Sequence, residues 1–324
     1  MPRAKAQPKR ARSPSPPPPT LAAMVESAEI EAVRQRLASG AVAAITPESP
    51  GPSGLVCGFD LPPADFEVLC ALHETIKTRA SRLTGWGGAA DDSGRLRGYG
   101  YFVGNELSER HHAADTTMRE STGEAATADA AANRRASVLL ARDECPDGLD
   151  ATLERLCATL RSALLRATGV EAGADELVAP GSDAAPAAAV AARAAARQLT
   201  PDSLVAAQLN LHEGKPYLRP HLDEPLNDGF GVVIATVAVR GSGRILLASR
   251  PWDAEARCES WFRLARGQCY ALSGDARNVC THGVLSDEGC ERRESLNLRF
   301  GLHRSALAPD GPCADEEVER HWPA

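Results

Sequence analysis

Two histidines and one aspartate in the last third of the 324-residue chain have the types and spacing of a metal site. His221 and Asp223 are two residues apart, so on an extended strand their side chains point to the same side. His282 lies far away along the chain, and it must reach the same place from another strand. Two imidazoles and one carboxylate on one face of a metal leave the opposite coordination positions open to other ligands.

Two spaced arginines follow these residues and predict an anion-binding arm beside the metal. Arg293 and Arg299 are separated by an even number of positions, so on one strand they share a face. A guanidinium binds a carboxylate through a two-pronged fork, and two guanidinium groups suit a ligand with two carboxylates. The 2-His-1-carboxylate set is typical of non-haem Fe(II) oxygenases. The ordered set therefore predicts iron together with a dicarboxylate co-substrate.

The segment from Asn210 to Arg299 resembles the AlkB family of Fe(II)- and 2-oxoglutarate-dependent dioxygenases. The matching residues are an Asn and a Leu at the family's distances before His-x-Asp, a Gly-Asp-Ala-Arg stretch ending in His-Gly, and a final Arg-x-Ser-Leu-x-x-Arg: Asn210, Leu218, His221, Asp223, Gly274 to Arg277, His282, Gly283 and Arg293 to Arg299. Two positions depart from the family pattern. His212 stands where the family has Tyr, and Gly214 lies one place early.

The resemblance implies a role for each matching residue. His221, Asp223 and His282 would bind Fe(II), and 2-oxoglutarate and O2 would be co-substrates. Arg293, helped by Asn210, would bind the distal carboxylate, and Arg299 would lie near the carboxylate bound at iron. His212 takes the position of the family's co-substrate-binding Tyr, and that contact is either lost or moved to Tyr217.

The resemblance also implies an activity, namely oxidative demethylation of N-alkylated nucleic acid. Two alternatives stay open at this point. One is an oxygenase that demethylates or hydroxylates a protein side chain, and the other is a non-catalytic jelly-roll binding module, which His212 in place of Tyr suggests. Nucleic-acid substrates require base-stacking aromatics and a basic track. The segment from Gly85 to Phe102, interpreted as a Gly-rich loop or hairpin, carries four aromatic residues that could form such a lid: Trp86, Tyr99, Tyr101 and Phe102.

Charge and cysteine content set bounds on compartment and partners. The formal net charge is -7, yet residues 1–20 carry five positive charges and no acid, so the remaining chain carries about -12. An acidic body argues mildly against sequence-blind binding to nucleic acid. The patch from Lys9 to Arg12 resembles a nuclear-import signal, so we expect the nucleus or the cytoplasm, with organelle targeting left open. Nine cysteines without a Cys-x-x-Cys pair indicate free thiols in a reducing compartment. No apolar stretch has membrane-spanning length.

The predicted fold class is α+β, with a double-stranded β-helix (jelly-roll) core and an N-terminal helical extension. Residues 1–54 are predicted to form a disordered, basic, Pro-rich tail and linker, and residues 55–200 a helical and lid extension. Residues 201–304 carry the short β-type runs of the core, and residues 305–324 form a polar tail. In the extension, helices are predicted from Pro63, with His73 in the buried stripe, and from Leu149 to Leu164. The sequence leaves the oligomeric state open.

Overall fold

The structure is a computed structural model. It describes residues 21–46, 51–83, 95–114, 118–119, 135–166, 187–214, 217–223, 230–248 and 260–302. The chain falls into two compact units, residues 1–41 and residues 42–324. None of the described helices is long and apolar enough to cross a membrane. Residues 1–20, the tail from residue 305 to residue 324 and Trp86 lie outside the described residues.

The first unit contains one described helix, α1 (Leu21–Ala38), so the prediction of disorder for residues 1–54 is wrong over this range. Two residues after the helix, Gly40 has a φ of +71°, the left-handed conformation that glycine adopts most easily after a helix. The backbone N–H of Ala41 then donates to the carbonyl oxygen of Arg36, which satisfies one of the last carbonyl groups of the helix.

The second unit is a β-rich α+β fold with two mixed sheets. Its strands are β1 (Ala43–Ala44), β2 (Leu55–Asp60), β3 (Arg95–Phe102), β4 (Met118–Arg119), β5 (Arg135–Leu140), β6 (Leu204–Glu213), β7 (Tyr217–His221), β8 (Phe230–Arg240), β9 (Gly243–Ala248), β10 (Ser260–Leu264), β11 (Gln268–Leu272), β12 (Thr281–Ser286) and β13 (Arg292–Leu302). Its helices are α2 (Pro63–Ala80), α3 (Glu106–Ala114), α4 (Leu149–Arg166), α5 (Ala187–Arg197) and the short α6 (Gly274–Asn278).

From β6 onward the chain passes back and forth between the two sheets. The larger sheet has the order β2-β11-β8-β13-β6-β3-β5-β4, and the smaller sheet has the order β1-β10-β9-β12-β7. Thus β6, β8, β11 and β13 lie in the larger sheet, while β7, β9, β10 and β12 lie in the smaller one. The extension predicted as helical contributes β2, β3 and β5 to the larger sheet.

The larger sheet is buried on both faces, which explains the nearly continuous apolar run of β8. On β8, Ala235 and Val237 pack against the helices, while Ala238 packs toward the smaller sheet. The cluster on the helix side includes side chains of α2 and α4, such as Leu69 and Leu156. The cluster between the sheets includes Ile245 and Phe262 of the smaller sheet. This second cluster borders the candidate site.

The structure agrees with the two predicted helices and differs at the segment from Gly85 to Phe102. Helix α2 begins at Pro63 as predicted, and its His73 is fully buried in the helix face. The described part of the Gly-rich segment is not a hairpin. It is strand β3, paired antiparallel with β6 and parallel with β5. Local turn signals suggested a hairpin, but Gly98 and Gly100 serve helix packing, because a Cβ at Gly100 would lie 2.7 Å from the Ile76 side chain.

Candidate metal and anion site

The three predicted metal ligands come together at one end of the smaller sheet. His221 is the last residue of β7, and in the antiparallel register it stands opposite His282 of β12. Asp223 follows two residues after His221. Its two carboxylate oxygens lie 3.8 Å from Nε2 of His221 and 4.0 Å from Nε2 of His282. Among the described residues, these three side chains bring one ligand atom each within 4.8 Å of one another.

The close approach of β7 and β12 depends on a glycine. A Cβ added at Gly283 would lie 2.8 Å from the carbonyl oxygen of Leu218 and 2.9 Å from the backbone nitrogen of Pro220. Both atoms belong to the backbone of β7, so the clash could be relieved only by moving the strand that carries His221. Gly283 therefore holds the two histidine-bearing strands at their working separation.

A backbone contact fixes which ring nitrogen of His221 can act as a ligand. Nδ1 of His221 lies 2.9 Å from the carbonyl oxygen of Arg219. A carbonyl only accepts, so Nδ1 carries the proton and Nε2, the atom that faces Asp223, carries the lone pair. Such a backbone contact sets the tautomer and the ring direction of a metal-binding histidine.

The charges around the triad favour a carboxylate facing neutral imidazoles. Burial by itself raises the pKa of Asp223, but the nearby positive charge, that of Arg299 foremost, outweighs it and holds that pKa well below its usual range. Burial, followed by the proximity of His221, lowers the pKa of His282 to about 3. Neutral imidazole and ionised carboxylate are the forms that bind a divalent metal.

The opposite wall of the same cavity is formed by β6 and β13 of the larger sheet. Asn210 and His212 of β6 are both buried, and both line the cavity together with His221, Asp223 and His282. On β13, Arg293 stands directly opposite His212 in the antiparallel pairing. The structure thus brings Asn210, His212 and Arg293 to one cavity with the triad.

Arg293 presents a half-buried cation that lacks an anionic partner among the described residues. Its Nε atom is buried, and no acceptor for it is found within the described ranges. Burial lowers the pKa of Arg293 to about 10. A guanidinium kept in such a place without a carboxylate is unfavourable for the ligand-free protein. A carboxylate ligand entering the cavity would supply the missing partner.

Arg299 lies at the other end of the wall, beside the triad. It is almost fully buried, and its Nη2 lies 3.7 Å from Oδ2 of Asp223. Nε and Nη2 of Arg299 both donate to Oε1 of Gln208, at 3.0 and 2.8 Å. Arg293 and Arg299 therefore occupy different ends of one sheet face, as their even spacing predicts.

Sequence reasoning missed three residues in or near the cavity. Tyr270 of β11 lines the cavity and hydrogen-bonds with Thr236, and burial raises its pKa to about 12. Gln208 of β6 also lines the cavity. Arg277 of α6 is almost fully buried, and its charge acts on Asp223 and His282. The alternation of β6 could have pointed to Gln208, since it shares a face with Asn210, whereas no sequence signal identifies Tyr270.

The described aromatic residues proposed as a base-stacking lid are buried or partly buried in the structure, whereas such a lid requires exposed rings. Tyr99 and Tyr101 are both 2% exposed in β3, with ring centroids 6.3 Å apart. His112 of α3 packs on Tyr101 at 5.4 Å between ring centroids. Neither tyrosine presents an exposed ring, and Phe102 is partly buried against the helix-side core. Tyr217, the alternative to His212, lies on β7 and stands opposite Leu285 of β12.

A second group of potential metal ligands has a different character. His73, Glu74 and Glu294 also bring ligand atoms within 4.8 Å of one another. There, Nζ of Lys77 lies 2.9 Å from Glu74 and 3.3 Å from Glu294. Nε of Arg292 lies 2.7 Å from Glu294. Because cations already neutralise both carboxylates, this group is an ion-pair network and not a vacant metal site.

Comparisons with known proteins add likeness at the level of solved structures. No protein-family model and no curated protein matches the chain. The chain is similar to OsALKBH1, with 15% identity and a TM-score of 0.40 over 78% of this chain and 99% of that one. It is similar to a Pseudomonas putida prolyl-4-hydroxylase, with 14% identity and a TM-score of 0.35 over 85% and 99%.

A Burkholderia pseudomallei oxidoreductase of the 2OG-Fe(II) oxygenase family is 17% identical with a TM-score of 0.23; the alignment covers 31% of this chain and 45% of that one. All three TM-scores are below 0.5. The functional interpretation therefore rests on the site itself.

Proposed function

We propose that the chain is an Fe(II)/2-oxoglutarate-dependent dioxygenase with an AlkB-like, jelly-roll core. One observation carries the proposal. A His-Asp-His set with converging ligand atoms shares a single cavity with the half-buried Arg293, whose buried Nε has no acceptor and whose guanidinium has no anionic partner among the described residues. The alternation of β6 to β13 between two sheets supports the jelly-roll interpretation.

The donor set of the cavity fits iron and a dicarboxylate. His221, Asp223 and His282 would hold Fe(II), since two neutral imidazoles and one carboxylate are the ligands of non-haem Fe(II) sites. Arg293, with Asn210 and His212 on the neighbouring strand, would bind the distal carboxylate of 2-oxoglutarate. Bound iron with 2-oxoglutarate and O2 supplies oxidation of a substrate C–H bond, coupled to decarboxylation of 2-oxoglutarate to succinate.

The residues around the triad would prepare it for this chemistry. The Arg219 carbonyl fixes the His221 tautomer, so that Nε2 needs no proton loss before binding metal. Arg299 lies beside Asp223 and keeps that carboxylate ionised, and it would balance a second carboxylate brought to the same end of the cavity.

For the substrate, we propose N-alkylated nucleic acid, on which hydroxylation of an N-methyl carbon ends in release of formaldehyde. The support is the resemblance carried by Asn210 to Arg299, with the Asn, the His-x-Asp and the Arg pair at the family's spacing. The alternatives are oxidative demethylation or hydroxylation of a protein side chain, favoured by the acidic body, and a binding module without turnover, favoured by His212. We further propose that the chain divides into segments after residues 54, 200 and 304. We also propose that the protein resides in the nucleus or the cytoplasm.

A succinate-release assay on iron-loaded full-length protein separates these functions. The substrate panel contains methylated oligonucleotides and methylated peptides. Succinate formed with an oligonucleotide supports nucleic-acid demethylation, and succinate formed with a peptide moves the assignment to a protein substrate. No succinate with any substrate, in protein that binds 2-oxoglutarate, favours the binding module. Asp223→Asn is the matched control, because it preserves side-chain size and removes the charged metal ligand.

A further inference from the structure

Gln208 is a buried amide in the wall of the candidate site, outside the predicted ligand set. It stands on β6 between the two groups that the resemblance assigns to the co-substrate, Arg299 and Asn210. Its Oε1 accepts from Nε and Nη2 of Arg299 at 3.0 and 2.8 Å. Its Nε2 donates to Oδ1 of Asn210 at 3.0 Å. The two contacts link Arg299 to Asn210 through one side chain.

The direction of this chain of hydrogen bonds follows from the chemistry of arginine. A guanidinium has donors and no acceptor, so the atom of Gln208 that faces Arg299 must be its oxygen. The amine of Gln208 must then face Asn210, and the atom of Asn210 that receives it must also be an oxygen. The amine of Asn210 is consequently turned away from Gln208. Within the described residues it donates to no protein acceptor, and Asn210 lines the cavity.

We propose that Gln208 is a positioning residue that fixes the Asn210 amide so that it presents N–H donors to the cavity. Arg299 fixes the orientation of the Gln208 amide, and the Gln208 amide fixes the orientation of the Asn210 amide. Asn210 can then donate hydrogen bonds to an oxygen-rich anionic ligand. The inference rests on the proposed function, since 2-oxoglutarate is the ligand whose carboxylate would accept from Asn210. It explains why an uncharged amide occupies a buried position beside a buried arginine.

The isosteric change Gln208→Glu reverses the direction of the hydrogen bond between residue 208 and Asn210 without changing the size of the side chain. We call the chain of hydrogen bonds from Arg299 through Gln208 to Asn210 the relay. The new carboxylate would still accept from Arg299, but it has no hydrogen to give to Asn210. Asn210 would then rotate its amide, donate its amine to that carboxylate and turn its oxygen toward the cavity. A carbonyl oxygen facing a carboxylate repels it, so 2-oxoglutarate should bind at least tenfold more weakly.

The test is calorimetric binding of 2-oxoglutarate to full-length protein loaded with Mn(II), read as a double-mutant cycle. Gln208→Glu is compared in the wild-type and in the Asn210→Ala background. If Gln208 acts through Asn210, the tenfold loss appears only when Asn210 is present. Asn297→Asp is the charge control, because Asn297 is the register partner of Gln208 and the change adds the same charge on the same sheet face. Its effect should be unaltered by Asn210→Ala.

The possible outcomes test the relay and the proposed function separately. Unchanged binding in Gln208→Glu, or an equal loss in both backgrounds, overturns the relay and leaves the proposed function standing. Absence of 2-oxoglutarate binding in the wild-type protein overturns both. Should Gln208→Glu fail to fold, Gln208→Met enters the same cycle. It frees the Asn210 amide to rotate, so a smaller loss that vanishes with Asn210→Ala is expected, and a loss that persists contradicts the relay.

Discussion

Replacing Arg293 by Met should stabilise the ligand-free protein and abolish its response to 2-oxoglutarate. The Arg293 side chain is half-buried, and its buried Nε has no acceptor among the described residues. Methionine keeps an unbranched stem of similar reach and removes the charge. Arginine-to-methionine changes at paired sites destabilise a protein, so an increase in stability here would be diagnostic of a cation held in place for a ligand.

The size of the effect follows from the pKa of Arg293. Burial lowers it from 12.5 to about 10, and at about 1.4 kcal/mol per pKa unit this corresponds to about 3 kcal/mol. For a base with a lowered folded-state pKa, the cost is fully present below the folded pKa and is relieved only above the unfolded one. At neutral pH the wild-type protein therefore carries the whole cost. The Arg293→Met variant should gain up to about 3 kcal/mol in free energy of unfolding.

Urea unfolding with and without 2-oxoglutarate measures both halves of this prediction. In Mn(II)-loaded protein, ligand at about 100 times its Kd should stabilise the wild type by about 2.7 kcal/mol. Without ligand, the Arg293→Met variant should have a higher free energy of unfolding than the wild type, and 2-oxoglutarate should not increase it further. Arg240→Met is the control, because Arg240 is exposed at the end of β8 in the same sheet. Its ion pair with Glu294 is long, at 3.8 Å, and its own side chain is 61% exposed, so the change should alter stability by less than about 1 kcal/mol. A destabilised Arg293→Met protein that still responds to 2-oxoglutarate would refute the reasoning.

Three further predictions address the triad, the strands that carry it and the buried histidine of α2. Asp223→Ala and His221→Ala should each lose most Mn(II) or Fe(II) binding, since two ligands do not define the site; metal content equal to wild type in both would count against the triad. Gly283→Ala should weaken metal binding although Gly283 is no ligand, because its Cβ would push on the backbone of β7, and metal titration of this variant beside Val284→Ala checks it. Burial lowers the pKa of His73 below its usual 6.5. The charges of Glu294 and Glu74 act in the opposite direction, and the charge of Lys77 adds to the lowering. The unfolded chain therefore binds more protons below about pH 6.5, and stability should fall as pH decreases through that range. Urea midpoints at about pH 7.5 and about pH 5.5 should differ less in His73→Gln than in wild type, and an equal difference would remove His73 as the cause.

Much of the site was accessible from the sequence because period-two spacing controls which side chains meet. The separation of Arg293 from Arg299 predicted a shared face, and both lie on the same face of β13. His-x-Asp predicted two groups on one side, and the triad assembles where β7 ends. Short apolar runs predicted the strands of the core, since β8 is buried on both faces.

Other features were inaccessible because they depend on long-range pairing. Strand β3 carries turn-forming glycines that a local interpretation assigned to a hairpin, yet those glycines allow α2 to pack closely on the larger sheet. Tyr270 reaches the cavity from β11, a strand with no motif around it. The position of Arg293 beside the cavity and the orientation of the Gln208 amide arise only when β6 and β13 pair.

The most direct test of the central claim is 2-oxoglutarate binding by the full-length protein, measured calorimetrically with and without Mn(II). The account predicts one 2-oxoglutarate per chain, bound only when metal is present, and lost in both Asp223→Ala and Arg293→Met. The two variants remove opposite ends of one cavity, so a shared loss ties the metal triad to the anion-binding wall. No binding in the metal-loaded wild type, or binding that survives in both variants, would contradict the account.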